Sequence, residues 1–428
     1  MAPLQNLILI LAALASPPVV AANWPEFRGP TANGCSSATG LPVRWSESEN
    51  IGWKTRIHGR GWSSPVIWGD QVWVTTAPED GRQAYAVAVD LNRGHIVHNI
   101  KVFDVPQPQP IEPFNSYASP TPAIEAGRVY VHFGAHGTAC LDTRSGKILW
   151  TRRDLPCNHY RGPGSSPILI DDLLIVHFDG IDLDYVVAFD KHSGKTVWKT
   201  DRSTDFTGVD GDLRKAYATP TVIRVGAQRQ LISPASRAAM AYDPLTGREL
   251  WKICFPAYSS PARPVCGAGL VFFQTGFGAD AEVLAVRPDG RGDVTDTHIA
   301  WRLGKYTPNK PSPLFADGLL YLTNEHGIAS CLEAGSGKLV WQQRLRGRQT
   351  ASPLWADGRV YFFSQEGKTS VVQAGRTFQL LAENRLDDGF LASPAVAGKA
   401  LILRTKTRLL RVENTPPLVR PPAVGDNP

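Results

Sequence analysis

Cysteine is scarce in this chain, six in 428 residues, and no two are adjacent or arranged as Cys-x-x-Cys-His, which excludes attachment of a c-type haem. No Gly-x-Ser-x-Gly elbow, His-Glu-x-x-His helix or phosphate-binding Gly-rich loop occurs, so hydrolase, metalloprotease and nucleotide-binding readings have no motif. Charge is low and scattered: 45 basic against 39 acidic residues give +6 without a basic run, and nucleic acid is not an expected partner. The one apolar stretch near the N-terminus, 7–15, falls well short of the ~20 residues a membrane-spanning helix needs. No transmembrane span is expected.

That stretch is followed by the small residues Val20-Ala21-Ala22. It reads as a signal peptide over 1–22 with a mature start near Asn23, which places the protein in the periplasm or outside the cell. No Lys or Arg precedes it, so its n-region relies on the α-amino charge, and no cysteine follows the small residues to carry a lipid anchor.

Proline, by contrast, is plentiful and periodic. Eight times a Ser, Thr or Arg followed by Pro opens a short apolar strand: Ser64-Pro65, Thr121-Pro122, Ser166-Pro167, Thr219-Pro220, Arg263-Pro264, Ser312-Pro313, Ser352-Pro353 and Ser393-Pro394. A unit of 40 to 57 residues cannot bury a core alone and must stack on its neighbours, so the chain is a repeat protein. Within a unit, Pro353-Leu354-Trp355 leads through Asp357-Gly358 to Val360-Tyr361-Phe362-Phe363, and a third strand often ends in an acid. A Gly-Lys or Gly-Arg turn then leads to Trp, as in Ser145-Gly146-Lys147 before Trp150, Ser193-Gly194-Lys195 before Trp198, Thr246-Gly247-Arg248 before Trp251 and Ser336-Gly337-Lys338 before Trp341.

Four strands per unit predict an all-β, eight-bladed β-propeller of four-stranded blades over 51–413. The last unit has three strands, while Ile51-Gly52-Trp53-Lys54 is a surplus outer strand before the first Ser-Pro, so the termini are expected to close the ring within one blade. Residues 23–50 read as an irregular N-terminal segment and 414–428 as a Pro-rich tail. The repeated tryptophans are expected to be buried between blades, and Cys140 and Cys331, at matching third-strand places, to be buried fillers; pairing of Cys157, Cys254 and Cys266 stays open.

The Gly-Lys-x-x-Trp turns and Ser-Pro strand starts resemble the PQQ-like β-propeller repeat family, which includes quinoprotein alcohol dehydrogenases and the outer-membrane-assembly propeller BamB. The resemblance covers roughly 24–412. Phrases such as Trp24-Pro25-Glu26-Phe27-Arg28-Gly29-Pro30 look like an exported bacterial subgroup.

Residues just before each inner strand should gather at a central funnel, where propellers are expected to bind ligands. Aromatic residues lie there: Trp62, Tyr117, Tyr217, Tyr258 and Phe390, which either stack on a ligand or wedge the blades apart. The connections around the third and fourth blades depart most from the repeat, with His159 and Arg161, Asp182, and Asp210 before Tyr217, so a polar-ligand or hard-cation site is placed at that corner. Asp289, Asp293 and Asp296 form a second acidic loop on the opposite face. His136 and His326 occupy matching turns, which repeat equivalence alone explains.

Two functions compete. One is an exported, non-catalytic scaffold binding an envelope protein, peptide or glycan through its funnel or rim, with no cofactor. The alternative, implied by the resemblance, is a dehydrogenase holding PQQ with Ca²⁺, in which Trp62 would stack on the quinone and Asp182 or Asp210 act as base. Adjacent cysteines that pair in those enzymes are absent here.

Overall fold

Each of the eight X-Pro pairs is followed at the next residue by a strand, from Val66–Trp68 after Pro65 to Ala395–Ala397 after Pro394. Proline lacks an N–H and holds the preceding residue extended, so it starts a strand where no ladder bond is needed. Seven of these strands are three residues long, as suits their crowded place at the axis; Thr221–Val225 has five. The computed structural model describes residues 23–414 apart from Ala279. The expected signal peptide over 1–22 and residues 415–428 of the expected tail lie outside the described residues.

Eight antiparallel sheets follow in ring order, each built outward from its Pro-initiated strand. The ring closes as expected: Ile51–Arg56 pairs antiparallel with Arg408–Glu413, Ile51 opposite Val412 and Thr55 opposite Leu409. Two sheets gain a fifth strand. Gly292–Asp293 runs parallel to the outer strand Glu249–Cys254 of the fourth blade, and Cys35–Ser36 runs parallel to the inner strand Leu354–Ala356 of the seventh.

The core is a series of layers between blades. Trp73, Ala86 and Ala88 of the first blade pack on Ile124, Val129 and Val131 of the second, and the pattern repeats around the ring. The closing layer joins the seventh, eighth and first blades and takes in Trp24, Leu41 and Trp45 from the N-terminal segment.

The Gly-Lys-x-x-Trp motif locks one blade to the next. Trp150 donates its indole N–H to the Lys191 carbonyl in the turn of the following blade at 3.0 Å, and Trp198 does the same to Pro244 at 3.1 Å. The turn glycine lies flat beneath the ring: a Cβ on Gly194 would sit 2.7 Å from Trp150, and one on Gly247 2.5 Å from Trp198. Both glycines have φ near +70°, so the turn needs glycine twice over, for its backbone and for the contact. Trp53 on Gly94 and Trp301 on Gly337 repeat the lock. Trp198, Trp251 and Trp341 are buried as expected, whereas Trp150 is only partly covered. The acid ending the third strand accepts the turn's N–H groups, as Asp142 does from Ser145 at 2.7 Å and Asp190 from Ser193 at 2.7 Å. Cys140 and Cys331 are fully buried, and all six cysteines are free.

Candidate functional site

The Ser and Thr of the X-Pro pairs form a hydrogen-bonded ring at the axis. The main-chain N–H of Ser64 donates to Thr121 Oγ1 at 2.8 Å, Thr121 to Ser166 Oγ at 2.9 Å, and Ser166 to Thr219 Oγ1 at 3.0 Å. After Arg263, whose N–H donates to Ser312 Oγ at 2.9 Å, the ring continues through Ser352 and Ser393 and returns to Ser64 at 3.0 Å. Seven of the eight links are present; the eighth is missing because Arg263 offers no hydroxyl.

Arg263 is occupied with the channel floor. Its guanidinium donates to Pro220 O, Thr221 Oγ1 and Phe27 O and pairs with Glu26 at 3.0 Å. Burial raises the Glu26 carboxyl while the Arg263 charge opposes it. Arg28, also fully buried, donates to the Pro313 carbonyl at 2.8 Å. The N-terminal segment therefore crosses beneath the channel, from Pro25, whose carbonyl accepts from Ile124 of the second blade, to the Cys35–Ser36 strand on the seventh. Phe27 is the floor of the cavity above.

That cavity, about 630 Å³, is the funnel. All seven ring hydroxyl residues line it, with Phe27, Trp62, Phe114, Tyr217, Tyr258 and Phe277 as rings and Arg161, Lys310 and Arg348 as cations against one carboxylate, Glu325. Trp62 is held by its indole N–H on the Phe114 carbonyl at 2.9 Å, with the Arg60 guanidinium 5.1 Å from its ring centroid. Tyr258 is bridged to Phe277 through both main chains, and Gly276 allows the approach, since a Cβ there would lie 1.9 Å from the Tyr258 carbonyl. Tyr217 packs on Gly164, its ring 4.1 Å from the Lys215 ammonium; burial pushes its phenol upward.

Of the nine funnel and corner residues singled out in the sequence, Trp62, Arg161, Tyr217 and Tyr258 line the funnel and Tyr117, His159, Asp182, Asp210 and Phe390 do not. Arg161 is committed to Asp212, by two bonds of 2.7 Å, and to Glu112 at 3.1 Å, and the Asp212 bonds raise its pKa. Tyr117 stacks on His136 over Gly81. His159 is buried beside Phe178, and burial drives its pKa well below the usual imidazole value. Asp182 organises its own connection, accepting from Asn158 N–H at 2.7 Å and Leu183 N–H at 2.8 Å. Asp210 caps the short helix Gly211–Arg214. Phe390 packs on Phe363 in the core.

The third-to-fourth-blade corner is instead a buried polar seam. Asp179 is bidentate to Arg202 at 2.5 and 2.9 Å; burial would raise its carboxyl, but the Arg202 charge outweighs that and holds it low. His177 bridges the Ala218 carbonyl and Ser233 Oγ, and buried Lys215 donates to the Ala216 carbonyl at 2.7 Å. Asp184 is raised to about 7, by burial first and the Asp179 charge second. Among the described residues no group of three or more His, Cys, Asp and Glu is placed to hold a metal. In the acidic loop of the fifth blade, Asp293 is engaged by Thr295 and Asp289 faces His298 at 3.7 Å.

Sequence reasoning missed Lys310, Arg348, Glu325 and Phe114. Phe114 follows the Pro-rich stretch 106–113 in the connector into the second blade and reaches across the funnel to Lys310, 4.9 Å from its ring centroid. The equivalence of His136 and His326 also breaks: His326 lines the funnel, while His136 is half-buried under the connector and lowered to about 4, chiefly by that burial. Repeat position gives no signal of which copy faces the axis.

A family model described as outer membrane protein assembly factor BamB matches residues 111–228 and 182–415, more than half of the chain. BamB of Yersinia pestis is 27% identical over 170 residues, 37% of this chain, and the match spans 39% of that relative's length. The crystal structure of BamB from Moraxella catarrhalis superposes with a TM-score of 0.59 at 11% identity, covering 85% of this chain and 99% of that one. Quinohemoprotein alcohol dehydrogenase from Comamonas testosteroni gives 0.66 at 12%, covering 92% and 81%, and a europium-containing methanol dehydrogenase 0.63 at 12%, covering 91% and 89%. These identities carry the fold alone.

Proposed function

Because the chain belongs to the family described as outer membrane protein assembly factor BamB, we propose that it is a non-catalytic scaffold of the bacterial envelope that binds a protein or peptide partner through its funnel. The observation that carries this is the lining: rings and hydroxyls around a cavity open at one face and floored by Phe27 at the other. Among the described residues, no hydroxyl of the ring is hydrogen bonded to a histidine or carboxylate that could activate it as a nucleophile. No helix among the described residues is long and apolar enough to cross a membrane.

The second reading, a PQQ-dependent dehydrogenase, is supported by the shared fold. Ca²⁺ takes six to eight oxygen ligands, carboxylates prominent among them. The funnel lining offers one carboxylate, Glu325, already accepting from the side-chain amide and main-chain N–H of Asn309. Asp182 and Asp210, named as bases, lie outside the lining. The donor set does not fit a calcium-held quinone.

The test is photo-crosslinking in the native host from positions Trp62 and Tyr258, with Leu149 and Val197, exposed on outer strands, as rim controls. Adducts to an envelope protein from the funnel positions are expected. Adducts from the rim alone would move the binding surface, and dye-linked alcohol oxidation by purified protein given PQQ and Ca²⁺ would overturn the scaffold reading.

A further inference from the structure

Resting on the funnel as the binding surface, the lining says more about the occupant. We propose that the funnel takes a short extended segment of acidic peptide, its carboxylates seated on Lys310 and Arg348 and its carbonyls accepting from the ring of Ser and Thr hydroxyls.

The first observation is a cation without a direct ion pair among the described residues. Arg161 is already neutralised by Asp212 and Glu112. Lys310, part-buried in the wall, has no ion pair within 4 Å and no hydrogen-bond acceptor among the described residues; its ammonium lies over the Phe114 face, 4.9 Å from the ring centroid. The nearest acid in the lining, Glu325, is taken by Asn309. Burial pulls the Lys310 pKa below the usual lysine value, the Glu325 charge opposing it and the Arg348 charge adding to it, as expected of an ammonium stripped of water without a direct ion pair. Arg348 holds Glu366 through Nε at 3.1 Å and keeps its guanidinium largely exposed at the same side.

The second observation is the ring. Each of its seven hydroxyls accepts a main-chain N–H, and none is used as a donor among the described residues. A hydroxyl that has accepted keeps its own proton to give, so the funnel is lined by a circle of donors asking for acceptors. Peptide carbonyls and carboxylates are such acceptors, while Trp62, Tyr258 and Phe277 supply ring faces along the wall. A neutral glycan would use the rings and hydroxyls but leave Lys310 unpaired.

Size and topology limit the occupant further. About 630 Å³ admits a few residues of chain and no folded domain. The floor of Phe27, fastened by Arg263 and Glu26, prevents threading, so the segment enters and leaves by one mouth or ends inside.

The test is fluorescence anisotropy with a dye-labelled octapeptide alternating Gly with Asp and Glu, its Asn/Gln counterpart, the acidic peptide with an amidated C-terminus, and an oligogalacturonate. The acidic peptide is expected to bind more tightly than the neutral one, and less so as salt rises. Amidation separates a terminal carboxylate from side-chain ones as the group on Lys310. Lys310→Met should weaken acidic-peptide binding by about tenfold or more, the worth of a charge-assisted hydrogen bond. Lys310→Arg should restore most of it. Lys195→Met, in an exposed turn away from the funnel, should change nothing, and all variants should melt like wild type. Equal binding of the acidic and neutral peptides, unchanged affinity in Lys310→Met, or Lys310-dependent binding of the oligogalacturonate alone would overturn the proposal. If funnel crosslinks to an envelope protein persist despite such a result, the scaffold reading stands and only the acidic chemistry falls.

Discussion

Gly194 tests whether blades are locked by the contact between turn and tryptophan. It sits at φ +71°, and a Cβ on it would lie 2.7 Å from Cε3 and 2.8 Å from Cδ2 of Trp150 in the preceding blade. Gly194→Ala therefore carries about 1–2 kcal/mol of left-handed backbone strain and about 1–3 kcal/mol for a methyl forced against the indole. Trp150→Ala should cost about 3 kcal/mol, the low end for a large aromatic because the ring is only partly buried. With both changes the methyl occupies space the ring has left, and of the Gly194→Ala cost only the strain remains. The double variant should then be less destabilised than the sum of the singles by about 1–3 kcal/mol. Gly226→Ala is the control: φ is +58° there and no atom lies within 4 Å of the added Cβ, so it should show the strain alone. Equilibrium urea unfolding followed by far-UV circular dichroism gives all five stabilities. Additivity within about 0.5 kcal/mol, or equal costs for Gly226→Ala and Gly194→Ala, would refute the lock.

Acid should loosen the blade two to four sector. His132 and His177 are fully buried and pushed down to about 3, both chiefly by burial, His177 also by the Arg202 charge. A folded pKa below the unfolded value of about 6.5 means the unfolded chain binds the extra proton, so this stability is present above that value and lost as pH falls toward 3. One pH unit below it, each histidine has given up about 1.4 kcal/mol; a Tm unchanged between pH 7.5 and 5.5 would contradict this. Arg263→Met leaves Glu26 without its partner beneath the channel and should cost about 3 kcal/mol, with limited proteolysis cutting within 24–34 before the propeller unfolds. Protection equal to wild type would show that the N-terminal segment is held by its other contacts.

The repeat was legible in one dimension because its chemistry is local. Proline before a strand, an acid accepting from the turn after it, and glycine where φ must be positive act within a few residues, so the strand starts after Pro65 through Pro394 could be placed to the residue. The surplus strand at Ile51 and the deficit after Val412 were visible by counting, which is why ring closure was too. What the copies share says nothing about which copy faces what. The ring of hydroxyls joins residues 40 or more apart in sequence; Arg263 breaks it because Glu26 and Phe27, far away along the chain, lie beneath it. Phe114 meets Lys310 only because a connector of irregular backbone crosses the mouth, and His326 faces the funnel while its repeat mate His136 is covered by that same connector. His159, Asp182 and Asp210 looked functional because polar departures from a packing repeat stand out, but once folded they satisfy the backbone and seam of their own corner. Local propensity and period determined the blades; which side chains were left with unmet bonds at the axis was decided only when distant segments came to share one enclosed space.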